Sequence, residues 1–112
     1  MKLVDIEAFF LKIEEPGRLY RRVDTIQEAH GVQFLCPKCF ADNGGSVGTH
    51  SVICWDSTRG VQPEETPKPG RWEMLGTGLD DLTLRAGSSS VLLTGDGCKA
   101  HFYVENGAIR MC

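Results

Sequence analysis

Long apolar runs are missing from this 112-residue chain: near its start Asp5, Glu7 and Lys12 break up the apolar residues of MKLVDIEAFFLKIEE. That stretch falls short of a membrane span and of a signal-peptide core, so neither membrane insertion nor export is expected. An excess of positive charge is missing too. Twelve Lys and Arg stand against fifteen Asp and Glu, for a net charge of -3, which gives no general attraction to nucleic acid or anionic lipid. There is no internal repeat. The two zinc-hydrolase signatures, H-E-x-x-H and H-x-E with P-C-x-x-C, do not occur. The five cysteines are odd in number, which argues against a fully paired disulfide framework. Without an export signal they point to a reducing, cytoplasmic setting, where spaced cysteines serve metals or catalysis more often than cross-links.

What is present is the punctuation of a small, mainly β domain, expected to be a single unit over residues 1–112. Lys2 to Ile13 mixes alternation with an apolar run and is read as a strand. Glu15-Pro16-Gly17 reads as a turn, and Leu19 to Val23 as the strand after it. Thr25-Ile26-Gln27-Glu28 has capping-box spacing with Gly31 beyond it, predicting one short helix. Further strands are expected at Val32 to Leu35, Ser51 to Trp55, Arg71 to Leu75, Leu82 to Arg85, Ser90 to Leu93, His101 to Glu105 and Ala108 to Met111. Two loops, Ala41 to Thr49 and Asp56 to Gly70, are expected to be exposed.

Phe34-Leu35-Cys36-Pro37-Lys38-Cys39 places two thiols across a tight turn after an apolar strand, the way a zinc knuckle presents two sulfurs to one ion. A redox dithiol and a pair of buried cysteines are the alternatives. The redox form usually opens a helix in a βαβ setting, which is not expected here. Cys98-Lys99-Ala100-His101 repeats the spacing with one histidine. Together Cys36, Cys39, Cys98 and His101 make a Cys₃His set suited to zinc rather than to calcium or magnesium. Bringing such distant pairs together costs about 3 to 4 kcal/mol in loop closure, well below the roughly 10 kcal/mol or more of structural zinc binding.

Asn106-Gly107 signals a two-residue hairpin turn, since both positions must accept positive φ. The register follows: Glu105 faces Ala108, Val104 faces Ile109, Tyr103 faces Arg110, Phe102 faces Met111 and His101 faces Cys112. Phe102, Val104, Ile109 and Met111 then share the core face, and Cys112 stands beside His101 as a competing fourth ligand. Cys54 reads as a small buried apolar residue. His30 and His50 read as surface or capping groups, and Tyr20, Trp55 and Trp72 as core.

The chain resembles a family of short, uncharacterised bacterial and phage proteins known only as a domain of unknown function, some of them mislabelled ammonia monooxygenase. The matching residues run from Glu15-Pro16-Gly17-Arg18-Leu19-Tyr20 through Ala29-His30 and Cys36-Pro37-Lys38-Cys39. They continue with Trp72, Leu82-Thr83-Leu84, Ser89-Ser90-Val91, Cys98-Lys99-Ala100-His101-Phe102 and Gly107-Ala108-Ile109. The resemblance implies a small zinc-binding β domain with Cys36, Cys39, Cys98 and His101 as ligands, in a bacterial cytoplasm or a phage-infected cell, and it implies no established activity. Some relatives sit beside ubiquitin-like conjugation genes and others in phage genomes, which suggests a protein partner or host takeover. The chain departs from the family at Phe40, where glycine often follows the second knuckle cysteine.

The leading expectation is a zinc-stabilised protein-interaction module without catalysis, because a metal filled by protein ligands has no position left for substrate. A hydrolase is the rival, with three protein ligands and Glu105, Asp80 or Asp81 as base. A nucleic-acid-binding knuckle is the third reading, resting on Arg18, Tyr20, Arg21 and Arg22, and the acidic total speaks against it.

Overall fold

Glu7 adopts a left-handed conformation, φ 53° and ψ 46°, and this one residue divides the first expected strand. Before it, Leu3–Ile6 form a 3₁₀ turn; after it, strand β1 spans Phe9–Glu15. The computed structural model describes residues 1–62, 65, 71–85, 90–92 and 100–111, with the backbone alone for 90–92. Cys98, Cys112 and most of the proline-bearing part of the second loop lie outside the described residues.

β1 turns back through Pro16-Gly17 into β2, Leu19–Val23. Gly17 has φ 74°, which glycine adopts without steric cost, and Arg18 N–H donates to Glu15 O at 2.9 Å to close the turn. The next strands are β3, Gly31–Leu35, and β4, Ser51–Trp55, with helix α1, Pro37–Asn43, between them. The four strands form one antiparallel sheet in the order β2-β1-β3-β4. β5, Glu73–Leu75, and β6, Thr83–Arg85, make a two-stranded ribbon; β7, Ser90–Leu92, β8, His101–Glu105, and β9, Ala108–Met111, make a three-stranded antiparallel sheet. The protein is mainly β, with a C-terminal hairpin as expected.

The core follows from alternation. Phe10, Val23, Val32, Phe34, Val52 and Cys54 project from one face of the four-stranded sheet into a cluster shared with Leu3, Ile6, Leu82, Leu84, Phe102, Val104 and Ile109. Phe34 meets Phe102 edge to face, with centroids 6.0 Å apart, and this contact joins the two larger sheets. On the other face Leu11 and Trp55 are buried, and Tyr20 sets its ring edge-on to Trp55 at 5.6 Å. Tyr20 nonetheless remains 41% exposed, so it is not the core residue the sequence suggested.

The hairpin register is the one the Asn-Gly turn dictates, from Glu105↔Ala108 to Phe102↔Met111. Phe102, Val104 and Ile109 are buried, whereas Met111, beside the end of the strand, is 46% exposed. The expected helix after Thr25 shrinks to a 3₁₀ turn, Ile26–Glu28. Thr25 Oγ1 donates to the Glu28 carboxylate at 2.9 Å, so the two side chains pair with each other and do not cap backbone N–H groups. The one α-helix among the described residues is α1.

In the described part of the second loop Ser57, Thr58, Gly60 and Gln62 are exposed as expected, while two acidic residues are not. Asp56 is fully buried and accepts from Thr58 N–H and Oγ1, Arg59 Nε and Met74 N–H, at 2.6 to 3.1 Å. Glu65 is also buried and accepts Gly17 N–H at 2.8 Å, tying the loop to the β1–β2 turn. At the start of the chain Leu3 N–H donates to Gly107 O at 2.8 Å and Ile109 N–H donates to Met1 O at 2.7 Å, laying the first residues along β9. No described helix is long and apolar enough to cross a membrane.

Candidate metal centre

Cys36 ends β3 and begins α1. It is extended, φ -58° and ψ 120°, and Pro37 follows at the first helical position, where its missing N–H costs nothing. Phe40 N–H donates to Cys36 O at 2.9 Å, so the helix starts on Cys36 and carries Cys39 on its first turn. Gly44, at φ 68°, stops the helix, with its N–H on Ala41 O at 3.3 Å and Gly45 N–H on Phe40 O at 3.0 Å.

The glycine-rich loop then folds back on itself. Thr49 Oγ1 donates to Gly45 O at 2.7 Å and accepts from Asn43 Nδ2 at 3.2 Å. These bonds set the entry to β4, whose ladder with β3 runs from Gly31↔Trp55 to Leu35↔Ser51. It continues one step further: Cys36 N–H donates to His50 O at 2.8 Å. His50 therefore stands across from Cys36, a position from which two side chains meet.

The Sγ atoms of Cys36 and Cys39 and a ring nitrogen of His50 all lie within 4.8 Å of one another. Cys36 is fully buried, Cys39 partly buried and His50 exposed, so the group opens toward solvent on its histidine side. Two sulfurs and one imidazole nitrogen make a soft to borderline donor set, wrong for calcium or magnesium. No disulfide joins the described cysteines, Cys36, Cys39 and Cys54.

Of the four ligands expected from sequence, Cys36 and Cys39 come together and Cys98 lies outside the described residues. His101 is exposed on β8, its ring stacked against Tyr103 at 6.4 Å, and is not among the residues that meet at this group. His50, exposed as a surface residue is expected to be, also lies close enough to both sulfurs to hold a metal ion with them. Cys54 is buried as expected, and desolvation pushes its thiol far above the usual range. His30 Nδ1 accepts Ile13 N–H at 2.9 Å, and burial, aided by the charges of Lys12 and Arg59, lowers its pKa.

Two of the three candidate bases, Glu105 and Asp81, are otherwise engaged. Glu105 is paired with Arg110 at 2.9 Å. Asp81 accepts from Thr77 N–H, Gly78 N–H and Thr77 Oγ1, bonds that favour its charged form and lower its pKa. The basic cluster is likewise tied down: Arg18 pairs with Glu15 at 3.1 Å, Arg21 with Glu14, and the Arg22 guanidinium lies 4.8 Å over the Phe9 ring.

No family model matches this chain, and no match is found among curated proteins or solved structures.

Proposed function

We propose that the protein is a small zinc-stapled β module that acts by binding a protein partner. Zinc is held by Cys36, Cys39 and His50, and Cys98, which lies outside the described residues, is the candidate fourth donor by its C-x-x-H motif. The observation that carries the metal part is the convergence of two sulfurs and an imidazole nitrogen within 4.8 Å, at the junction of β3, α1 and β4. Donors around a tetrahedral zinc stand roughly 3.5 Å apart, so side-chain rotation suffices to close the set. The ion's role is structural: it pins the start of α1 to the start of β4, across a loop with no buried apolar residue of its own.

The partner reading rests on the resemblance to uncharacterised bacterial and phage proteins and on the engagement of Glu105 and Asp81. Hydrolysis at zinc needs a base poised near neutrality; Glu105 is committed to Arg110, and the hydrogen bonds to Asp81 make it a weaker base. Nucleic-acid binding needs uncommitted cations, whereas Arg18 and Arg21 face carboxylates on their own hairpin.

The test is elemental analysis of the purified protein, followed by cobalt substitution. The expected result is one tightly held zinc and a cobalt spectrum with thiolate charge-transfer bands. A natively folded protein that neither retains zinc nor binds cobalt through thiolate would sink the metal reading. Turnover of a hydrolysable substrate that depends on the zinc would replace the interaction role with catalysis.

A further inference from the structure

We propose that Cys36 and Cys39 also form a dithiol–disulfide couple, oxidised by small disulfides of the glutathione type, with Cys39 as the attacking sulfur. The sequence argued against a redox pair because a helix opening at C-x-x-C in a βαβ setting was not expected. The setting is indeed not βαβ, since β3 and β4 are antiparallel, but a helix does open at C-x-x-C, with Cys36 at its cap and Cys39 on its first turn. Residues spaced this way lie on one side of a helix start, at a separation compatible with the Cα distances of 4.4 to about 6.8 Å that disulfides span. Their sulfurs already lie within 4.8 Å of each other.

Burial assigns the roles. Cys36 is fully buried, whereas Cys39 is partly exposed, so an incoming disulfide reaches Cys39 first. The Cys39 thiolate attacks one sulfur of RSSR; an S–S bond forms at Cys39 and RS⁻ leaves, taking a proton from solvent. The Cys36 thiolate then attacks Cys39 Sγ and expels the second RS⁻. The two thiols have lost two electrons and two protons, RSSR has become two RSH, and Cys36–Cys39 is a disulfide. Cys54, fully buried and with a strongly raised pKa, is outside this chemistry and serves as an internal control.

A metal uses both sulfurs as thiolate donors, which a disulfide cannot supply, so oxidation and metal binding exclude each other. Only this competition rests on the metal reading; the couple itself needs no ion.

The experiment equilibrates the metal-stripped full-length protein with glutathione buffers of increasing oxidised fraction, then maps thiols by alkylation and peptide mass spectrometry. The expected result is loss of both alkylatable thiols at Cys36 and Cys39, a linked peptide lighter by two hydrogens, and protection when zinc is added first. Cys36→Ser should trap a glutathione adduct at Cys39, and Cys39→Ser should trap none at Cys36. The proposal is overturned if both thiols survive the most oxidising buffer, if the bond formed engages Cys98 or Cys112, or if the adduct is trapped at Cys36. A disulfide that forms in a protein with no affinity for zinc leaves the couple standing and removes the metal reading. Zinc bound to a pair that never oxidises does the reverse.

Discussion

A Cβ placed on Gly31 would lie 2.6 Å from Trp55 Cε3 and 2.6 Å from the Cys54 carbonyl oxygen. The indole of Trp55 thus occupies the space a side chain would take, directly across the β3–β4 ladder, where Gly31 pairs with Trp55. Neither contact can yield cheaply, since one is backbone and the other belongs to a fully buried ring. Gly31→Ala should lower stability by about 1 to 3 kcal/mol, the usual cost of overpacking. The denaturant midpoint reads it, and an unchanged midpoint together with unchanged tryptophan fluorescence would show that the ring has somewhere else to go.

The proposed metal centre separates two histidines. His50→Ala removes one of three converging donors and should weaken zinc more than about tenfold. His101→Ala, on the strand paired with β7 through Leu92↔His101 and with its ring exposed and stacked on Tyr103, should leave the affinity within about threefold of the starting protein if Cys98 supplies the fourth donor. Competition with a chromophoric chelator measures both. The reverse ranking would move the site to the C-terminal hairpin.

Gly107 is constrained twice. Its φ of 74° suits glycine, and a Cβ there would fall 2.1 Å from Asp80 O. The turn is also bonded on both sides, through Gly107 N–H to Leu82 O and Leu3 N–H to Gly107 O, each 2.8 Å. Gly107→Ala should cost about 2 to 4 kcal/mol from strain and clash together. A thermal melt within two degrees of the starting protein would mean that the turn tolerates a side chain.

His30 provides the pH test, best made on metal-free protein so that ligand protonation does not intrude. Its folded pKa lies below the ordinary 6.5, chiefly through burial, and its Nδ1 acts as acceptor for Ile13 N–H, which requires the neutral ring. The unfolded chain then binds more protons between the two values, so this contribution to stability is present above pH 6.5 and is lost as pH falls through the folded pKa. Stability of the starting protein should decline from pH 7 to pH 5, and His30→Gln should flatten that slope. A ring whose NMR titration midpoint sits at or above 6.5 would contradict the assignment.

The parts of this fold that could be read from sequence are those fixed by local chemistry. Asn106-Gly107 dictated a register that holds for the four pairs from Glu105↔Ala108 to Phe102↔Met111, the expected partner of His101, Cys112, lying outside the described residues, and β2, β4, β8 and β9 carry the bounds their composition suggests. The helix was misplaced because its signals were read one at a time. Thr25 and Glu28 have capping spacing but bond to each other, while Pro37 after Cys36 and the glycine pair Gly44-Gly45 form a complete start and stop for α1. The knuckle reading of C-P-x-C masked them. His50 was missed for a different reason: eleven positions from Cys39, it belongs to no motif. It becomes Cys36's neighbour only once β3 and β4 are known to pair in the Leu35↔Ser51 register. Carried one step past that pair, the ladder would have pointed to it.

The strand of the C-terminal hairpin farthest from β7 does not end its sheet as an open ladder. Met1 to Leu3 run against β9, with the Lys2↔Ala108 bridge and the bond from Ile109 N–H to Met1 O between them. A strand edge left bare is a template on which another chain can build. Here Met1 to Leu3 act as a selvedge, taking up backbone groups of β9 that would otherwise invite a stranger, and any change to these residues should be judged by whether it leaves that hem stitched.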